Sequence, residues 1–320
     1  MKISGALNPL RTILNKLAII HASNKVARLR FENNPFFIVA IPGSLCEVAL
    51  CLQYIPDEQP VYLIANGLAR WEFAWIKKNL KCDGIIPVLR TLPHGYIIDL
   101  LLDVIDQPFG IIDYDCFIFD PSIFTRLHQL TDTTLLNAVF GQKNRKLDLD
   151  FPETFAMFFN TKVINGIRRK YRINSSLTYY DSLPISIKQK LSTIGIDESH
   201  QPEDFKNYID TAKLWISLDL AEGYKINFFE RQYTLTKDFR KVFHVGAGNK
   251  TDRLNSIWNV RGTYFWRRAL ETCRDTSIQS KYYKKYGTLK SSEIPTIVPD
   301  LCEQIGKEFF EVVEKVVNHV

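Results

Sequence analysis

Hydrophobic positions in the first third of the chain come in short unbroken runs rather than in alternation. Residues 36–41 read Phe-Phe-Ile-Val-Ala-Ile and stop at Pro42-Gly43; residues 61–65 read Val-Tyr-Leu-Ile-Ala and stop at Asn66-Gly67. A third run covers 84–89, and a fourth, 109–112, leads into Asp113-Tyr114-Asp115-Cys116. Such runs, bounded by turn residues, predict strands buried on both faces. Between them, 45–54, 70–80 and 95–105 predict helices, the second with Trp71, Trp75 and Ile76 on one side. The alternation predicts an α/β fold with a doubly wound, mostly parallel sheet and right-handed crossovers. Ligands of such sheets bind outside the carboxyl ends of the strands. That rule selects Pro42-Gly43-Ser44, Asn66-Gly67, the stretch before Tyr96, and 113–115.

The rest of the chain is less regular. Phe155, Met157 and Phe159 alternate within 154–160, which predicts a strand. The stretch 168–188 is polar and 192–204 reads as a loop. A helix is expected over 210–222, with Asp210 capping its first amides. Strands are expected at 224–229 and 242–245, and an amphipathic helix at 301–317. These patterns divide the chain into a basic N-terminal helix (1–31), an α/β domain (32–249) and a helical extension (250–320).

A chain of 320 residues with 46% hydrophobic and 24% charged content can bury a sizeable core, which excludes collagen-like and disordered classes. No apolar run reaches the ~18 residues a membrane-spanning helix needs. The six cysteines form no C-x-x-C pair, and the N-terminus lacks a secretory pattern, so buried free thiols and a cytoplasmic location are expected.

The net charge of +6 is unevenly spread. Residues 1–31 hold Lys2, Arg11, Lys16, Lys25, Arg28 and Arg30 and no acid, while Leu10, Ile13, Leu14, Leu17 and Ile20 recur at helical spacing. Such a helix either packs on the main domain with its basic face in water or lies on an anionic membrane surface. Residues 250–290 interleave Lys250, Arg261, Arg267, Lys281 and other cations with Trp258, Trp266, Tyr282 and Tyr286. That mixture suits phospholipid headgroups, a phosphate-bearing substrate or nucleic acid, and the lack of any nucleic-acid-binding signature argues against the last.

The candidate chemistry centres on Asp113 and Asp115. Two carboxylates at the end of a parallel strand can serve one divalent cation and leave its other positions to water and phosphate. With this motif in this place, the chain resembles the nucleotide-sugar-dependent glycosyltransferases of the A-type fold, a Rossmann-related architecture. The likeness runs over about residues 35–250. It is carried by the first strand with Pro42, by the segment from Leu92 through His94, Gly95 and Asp99, by Asp113-x-Asp115, by Phe155–Thr161 in its sequence order, and by His244 with Gly246 and Gly248.

The resemblance implies a sugar donor, by family precedent a UDP-sugar, with manganese or magnesium held by Asp113, Asp115 and His244. Pro42, Gly43, Asn66, Arg70, His94, Gly95, Asp99 and Tyr114 would contact the donor. His94 would donate to a phosphate oxygen, Gly95 would admit close backbone approach, and Asp99 would reach a sugar or ribose hydroxyl. Asn66 stands where many relatives carry a base-reading aspartate. Asp210 would act as the base on the acceptor hydroxyl, with Glu153 in reserve. A glycan or lipid-linked acceptor and a place at the inner face of a membrane, in polysaccharide assembly, are the matching expectations.

Two other readings compete. Residues 111–115 also resemble the first motif of haloacid-dehalogenase-type phosphatases, with Asp113 as nucleophile, although no acidic pair follows downstream. A non-catalytic nucleotide-sugar-binding protein of the same fold is the second. A phosphate-loop reading of 246–251 fails, because Asn249 replaces the glycine before Lys-Thr.

Overall fold

The structure is a computed structural model that describes residues 7–144, 146–202, 208–230, 241–246 and 253–318. Lys2, Gly248, Lys250 and the 249–251 stretch lie outside the described residues. α1 (Leu7–Val26) precedes β1 (Phe36–Ala40), α2 (Leu45–Leu52), β2 (Val61–Asn66), α3 (Arg70–Asn79), β3 (Gly84–Val88), α4 (His94–Val104) and β4 (Phe109–Ile112). The four strands are parallel, in the order β3-β2-β1-β4, with Phe36 opposite both Val61 and Gly110. Every residue of β1 and β2 is buried, which is why they read as continuous apolar runs. The pleat sorts side chains onto two faces. Phe36, Ile38, Val61 and Leu63 enter one hydrophobic core, and Phe37, Val39, Tyr62 and Ile64 the other.

Beyond β4 come β5 (Cys116–Ile118), α5 (Ser122–Leu127), β6 (Thr134–Asn144), β7 (Leu149–Pro152), β8 (Ala156–Phe159) and α6 (Thr161–Tyr171). β8 lies antiparallel between β4 and β6, and β7 pairs antiparallel with the far end of β6. The strand expected at 154–160 is therefore present, and the sheet is parallel in its first half and mixed in its second. α7 (Ile185–Ser192), α8 (Lys213–Ala221) and β9 (Lys225–Glu230) follow, β9 running parallel to β6.

Two helix boundaries differ from expectation. The helix expected from Asp210 starts at Lys213, because Ala212 takes φ +68° and interrupts it. Asp210 stays in the preceding turn, its carboxylate accepting from the Thr211 amide at 2.7 Å. The single helix expected over 301–317 is two, Pro299–Ile305 and Lys307–Val317, divided at Gly306.

β10 (Val242–His244) pairs antiparallel with β5 in a separate two-stranded sheet. The chain closes with α9 (Ile257–Thr272), α10 (Thr276–Tyr286), α11 (Ile294–Ile297), α12 (Pro299–Ile305) and α13 (Lys307–Val317). Val260, Phe265, Trp266, Tyr282 and Val313 belong to the same core as Phe36 and Ile38. The extension is thus part of the body that carries the sheet. Arg261 and Arg267 are buried in it, and Arg267 donates to the carbonyls of Tyr286 and Gly287. Part of the basic and aromatic pattern is therefore internal framework: a guanidinium offers several donors to main-chain carbonyls at a helix end.

α1 packs on β3 and α4 through Ala18, Ala22 and Val26. Small residues let the helix approach closely, and its larger apolar residues are left on the outside. Among the described residues no helix is long and apolar enough to cross a membrane.

Candidate active site

The carboxyl ends of β1, β2, β3 and β4 open into a cleft of about 520 Å³. Val39 and Ile41 from β1 and its end, Asn66 from β2, Thr91 and Leu92 after β3, and His94 at the start of α4 line one part. Asp113, Tyr114 and Asp115 after β4, Glu153–Phe155 between β7 and β8, and His244 and Gly246 after β10 line the rest. This is the location the strand pattern predicts.

Local hydrogen bonds explain why both aspartates face it. β4 ends at Ile112; the Asp113 amide donates to the Phe155 carbonyl at 2.7 Å, and the Cys116 amide returns to the Asp113 carbonyl at 3.0 Å. That tight turn frees both carboxylates from strand geometry. From behind, the Cys51 thiol donates to the Cys116 carbonyl at 3.3 Å. β5 then pairs with β10 in a register that sets His244 opposite Cys116. The His244 Nε2 therefore lies 3.4 Å from Asp115 Oδ1. The Val245 amide donates to the Asp115 carbonyl at 3.1 Å, and the Gly246 amide to Asp115 Oδ2 at 3.2 Å. The imidazole lies flat on Phe155, ring centres 3.9 Å apart, and Arg261 donates to the His244 carbonyl at 2.9 Å. One ligand atom each from Asp113, Asp115 and His244 fall within 4.8 Å of one another.

The two carboxyls are driven apart electrostatically. Burial pushes Asp113 above its ordinary value; His94 and His244 oppose the rise and Asp115 adds to it. Burial also works against ionisation of Asp115, but His244 and the Gly246 amide outweigh it and hold that carboxyl low. Burial and the neighbouring carboxylates push the Tyr114 phenol well up, so it stays protonated. The His94 Nε2 is buried with no hydrogen-bond partner among the described residues. A buried polar atom left open on a cleft is placed to meet a ligand.

The cleft gathers Asn66, His94, Asp113, Tyr114, Asp115, Glu153 and His244 from the expected set, and six residues stand elsewhere. Gly43 is tied by main chain on both sides: its amide donates to Glu72 at 2.7 Å and its carbonyl accepts from Trp266 at 2.9 Å. Neighbouring Pro42 does not line the cleft. Arg70 is exposed at the start of α3. Gly95 serves a helix contact, since a Cβ there would come 2.5 Å from the Ser175 carbonyl oxygen. Asp99 is held by Arg168 at 2.9 Å and by Ser175. Asp210 is outside the lining.

Asn66 lines the cleft in another capacity than expected. Its side-chain amide donates to the Leu92 carbonyl at 2.9 Å and its oxygen accepts from the Leu92 amide at 2.8 Å. It positions the 91–92 segment, and its amide edge is engaged there. Thr91 was not singled out in the sequence; its signal is position alone, the first residues after a parallel strand. Gly67 (φ +74°) lets that segment close in, as a Cβ would lie 2.2 Å from the Thr91 nitrogen.

Residues 21–164 match the family model of the StrH glycosyltransferase N-terminal domain. No curated protein matches the chain. Among solved structures, the glycosyltransferase GlyE of Streptococcus pneumoniae TIGR4 aligns at 12% identity and a TM-score of 0.39, over 79% of this chain and 64% of that one. Its apo form aligns at 11% identity and 0.36 over the same shares. A 4-diphosphocytidyl-2C-methyl-D-erythritol synthase from Anaerococcus prevotii DSM 20548 aligns at 12% identity and 0.35, over 63% of this chain and 88% of that one. The chain thus spans less than two thirds of the GlyE chains. The stretch that holds β1 to β8 and both cleft aspartates is similar to the StrH glycosyltransferase N-terminal domain.

Proposed function

We propose that the cleft binds a nucleotide-sugar donor, a UDP-sugar in the first instance, and passes its sugar to a glycan or lipid-linked acceptor in the cytoplasm. The observation that carries this reading is the gathering of Asp113, Asp115 and His244 at the carboxyl end of the parallel strands, with ligand atoms within 4.8 Å. These residues fit a divalent cation. Two carboxylates side by side, one buried and one half-buried, want a positive charge between them, and a neutral imidazole completes the donor set. Mixed carboxylate and imidazole ligation suits manganese better than magnesium. When bound, the cation supplies a Lewis acid for the charge that grows on the leaving diphosphate.

The chain's own residues do the rest. Phe155 fixes the plane of the His244 ring, and the Gly246 amide fixes one Asp115 oxygen. His94 offers its open Nε2 to a phosphate oxygen, beside the N-terminal end of α4 where anions are favoured. Leu92 and Thr91 present the nucleotide with a segment that Asn66 holds in place. Glu153 is the carboxylate in the lining outside the ligand set, so it replaces Asp210 as the group that takes the acceptor's hydroxyl proton. The acceptor oxygen bonds to the anomeric carbon as the bond from that carbon to the diphosphate breaks. The family match of residues 21–164 weighs against the phosphatase reading of Asp113.

Calorimetric titration with UDP and GDP, with and without manganese, tests the proposal. One nucleotide binds in the presence of manganese, and the Asp113→Asn/Asp115→Asn variant loses that binding while keeping its fold. Undiminished binding in the variant, or no binding of either nucleotide by the parent protein, overturns the site. Nucleotide binding with no release of UDP from any UDP-sugar would make this a binding protein.

A further inference from the structure

The N-terminal helix turns the wrong side outward for a helix that serves only to pack. At 3.6 residues per turn, Ile13, Leu17 and Ile20 fall opposite Ala18, Ala22 and Val26. The alanines and Val26 are buried against β3 and α4, whereas Ile13, Leu14, Leu17 and Ile20 are 54%, 43%, 55% and 58% exposed. Large aliphatic side chains clustered in water on one helix face mark an interaction surface rather than scattered exposure. The charge beside them has one sign. Lys16 and Lys25 flank the stripe on opposite sides, Arg11, Arg28 and Arg30 are also exposed, and residues 7–31 contain no acid.

We infer that α1 is an interfacial anchor that lays this stripe into an anionic phospholipid surface, with its lysines at the headgroups. The charge selects the occupant. A self-association through this face would bring like charges together, whereas an anionic lipid surface neutralises them. The helix is too polar to cross the bilayer, so it lies in the interface plane. The inference is independent of the proposed sugar transfer, since none of these residues lines the cleft.

The test uses the full chain and sedimentation with extruded vesicles. Binding to phosphatidylcholine vesicles containing about 30% phosphatidylglycerol is expected, with little binding to phosphatidylcholine alone. Leu17→Gln and Ile20→Gln should each weaken partitioning about tenfold, and Lys16→Gln and Lys25→Gln about fivefold each. Raising salt from about 0.1 M to about 1 M should remove most of the binding by screening. All four substitutions are on exposed positions, so an unchanged melting temperature and unchanged nucleotide binding serve as controls. Equal binding to neutral vesicles, no binding to anionic ones, or undiminished partitioning of the variants overturns the inference. So does a concentration-dependent dimer that Leu17→Gln dissociates, which would assign the stripe to a second copy.

Discussion

Glu72 joins three parts of the molecule through one buried carboxylate, and cutting one of its bonds makes a quantitative test of how the cleft is braced. The side chain is fully buried in α3. One oxygen accepts from the Gly43 amide at 2.7 Å and from the Tyr282 hydroxyl at 2.9 Å; the other accepts from the Ala69 amide at 2.9 Å. The donors come from the turn after β1, the start of α3 itself, and α10 of the extension. Burial and the adjacent carboxylate keep the Tyr282 phenol protonated far beyond its ordinary range, so it is a fixed donor. A carboxylate removed from water depends on such donors. Tyr282→Phe keeps the ring among its aromatic neighbours and deletes one charge-assisted bond, which costs about 1.5–3 kcal/mol. Glu72→Gln keeps the shape and leaves one donor facing an amide nitrogen, at about 1–3 kcal/mol. The two changes remove overlapping interactions, so the double variant should be less destabilised than the sum, with a coupling of about 1–2 kcal/mol. Urea unfolding at constant m-value reads all four proteins. Additivity within about 0.5 kcal/mol would refute the reasoning and leave the hydroxyl as a bystander to packing.

Two further predictions concern stability and the site. Asp219 is buried in α8 with neither oxygen partnered among the described residues, and burial, reinforced by Glu222, pushes its carboxyl up to about 9. The folded chain therefore holds a proton that the unfolded chain loses near the ordinary value of 3.8, so stability falls as pH rises between those values and levels off above about 9. From pH 5 to pH 8 that is a loss of about 4 kcal/mol, and Asp219→Asn should flatten it. Urea midpoints at the two pH values decide, and parallel pH dependence in both proteins would discharge Asp219 from the account. Phe155→Ala removes a buried ring that carries His244, and should cost about 3–5 kcal/mol of stability. It should also weaken manganese-dependent nucleotide binding about 10–100-fold, as loss of a supporting group around metal ligands does. A variant that unfolds more easily but binds nucleotide as before would show that β10 alone positions the imidazole.

The first half of the fold was legible because its strands are buried on both faces, and continuous apolar runs are hard to mistake. The ends of those strands then pointed to the cleft before any side chain was placed. β6 was not anticipated, although Thr134–Asn144 is the longest strand of the sheet, because its apolar stretch passes into polar Gln142, Lys143 and Asn144 and mimics a loop. Asp113, Asp115 and His244 were legible as residue types in order, and the place of His244 beside the aspartates depended on a pairing of β5 with β10 that only the tertiary structure supplies. Local reasoning failed where a polar side chain found a partner distant in sequence. Asp99 looks like a helix carboxylate free to meet a sugar, but Ser175 and Arg168 close on it. Asn66 keeps its amide for Leu92. Gly43 keeps its amide for Glu72 and its carbonyl for Trp266, 223 positions away. The stripe on α1 was legible as a stripe; which way it faced was not, because Ala18, Ala22 and Val26 make the contact.

The separation of 131 residues between Asp115 and Gly246 sets the order in which the two sides of the cleft can meet during synthesis. At about 5–20 residues per second, a ribosome delivers Gly246 roughly 7–26 s after Asp115. Through that interval the nascent chain has the parallel strands and both carboxylates, but β5 has no partner strand and His244 has only just been made or is still to come. A translation product released before Gly246 is therefore left without the His244 side of the cleft.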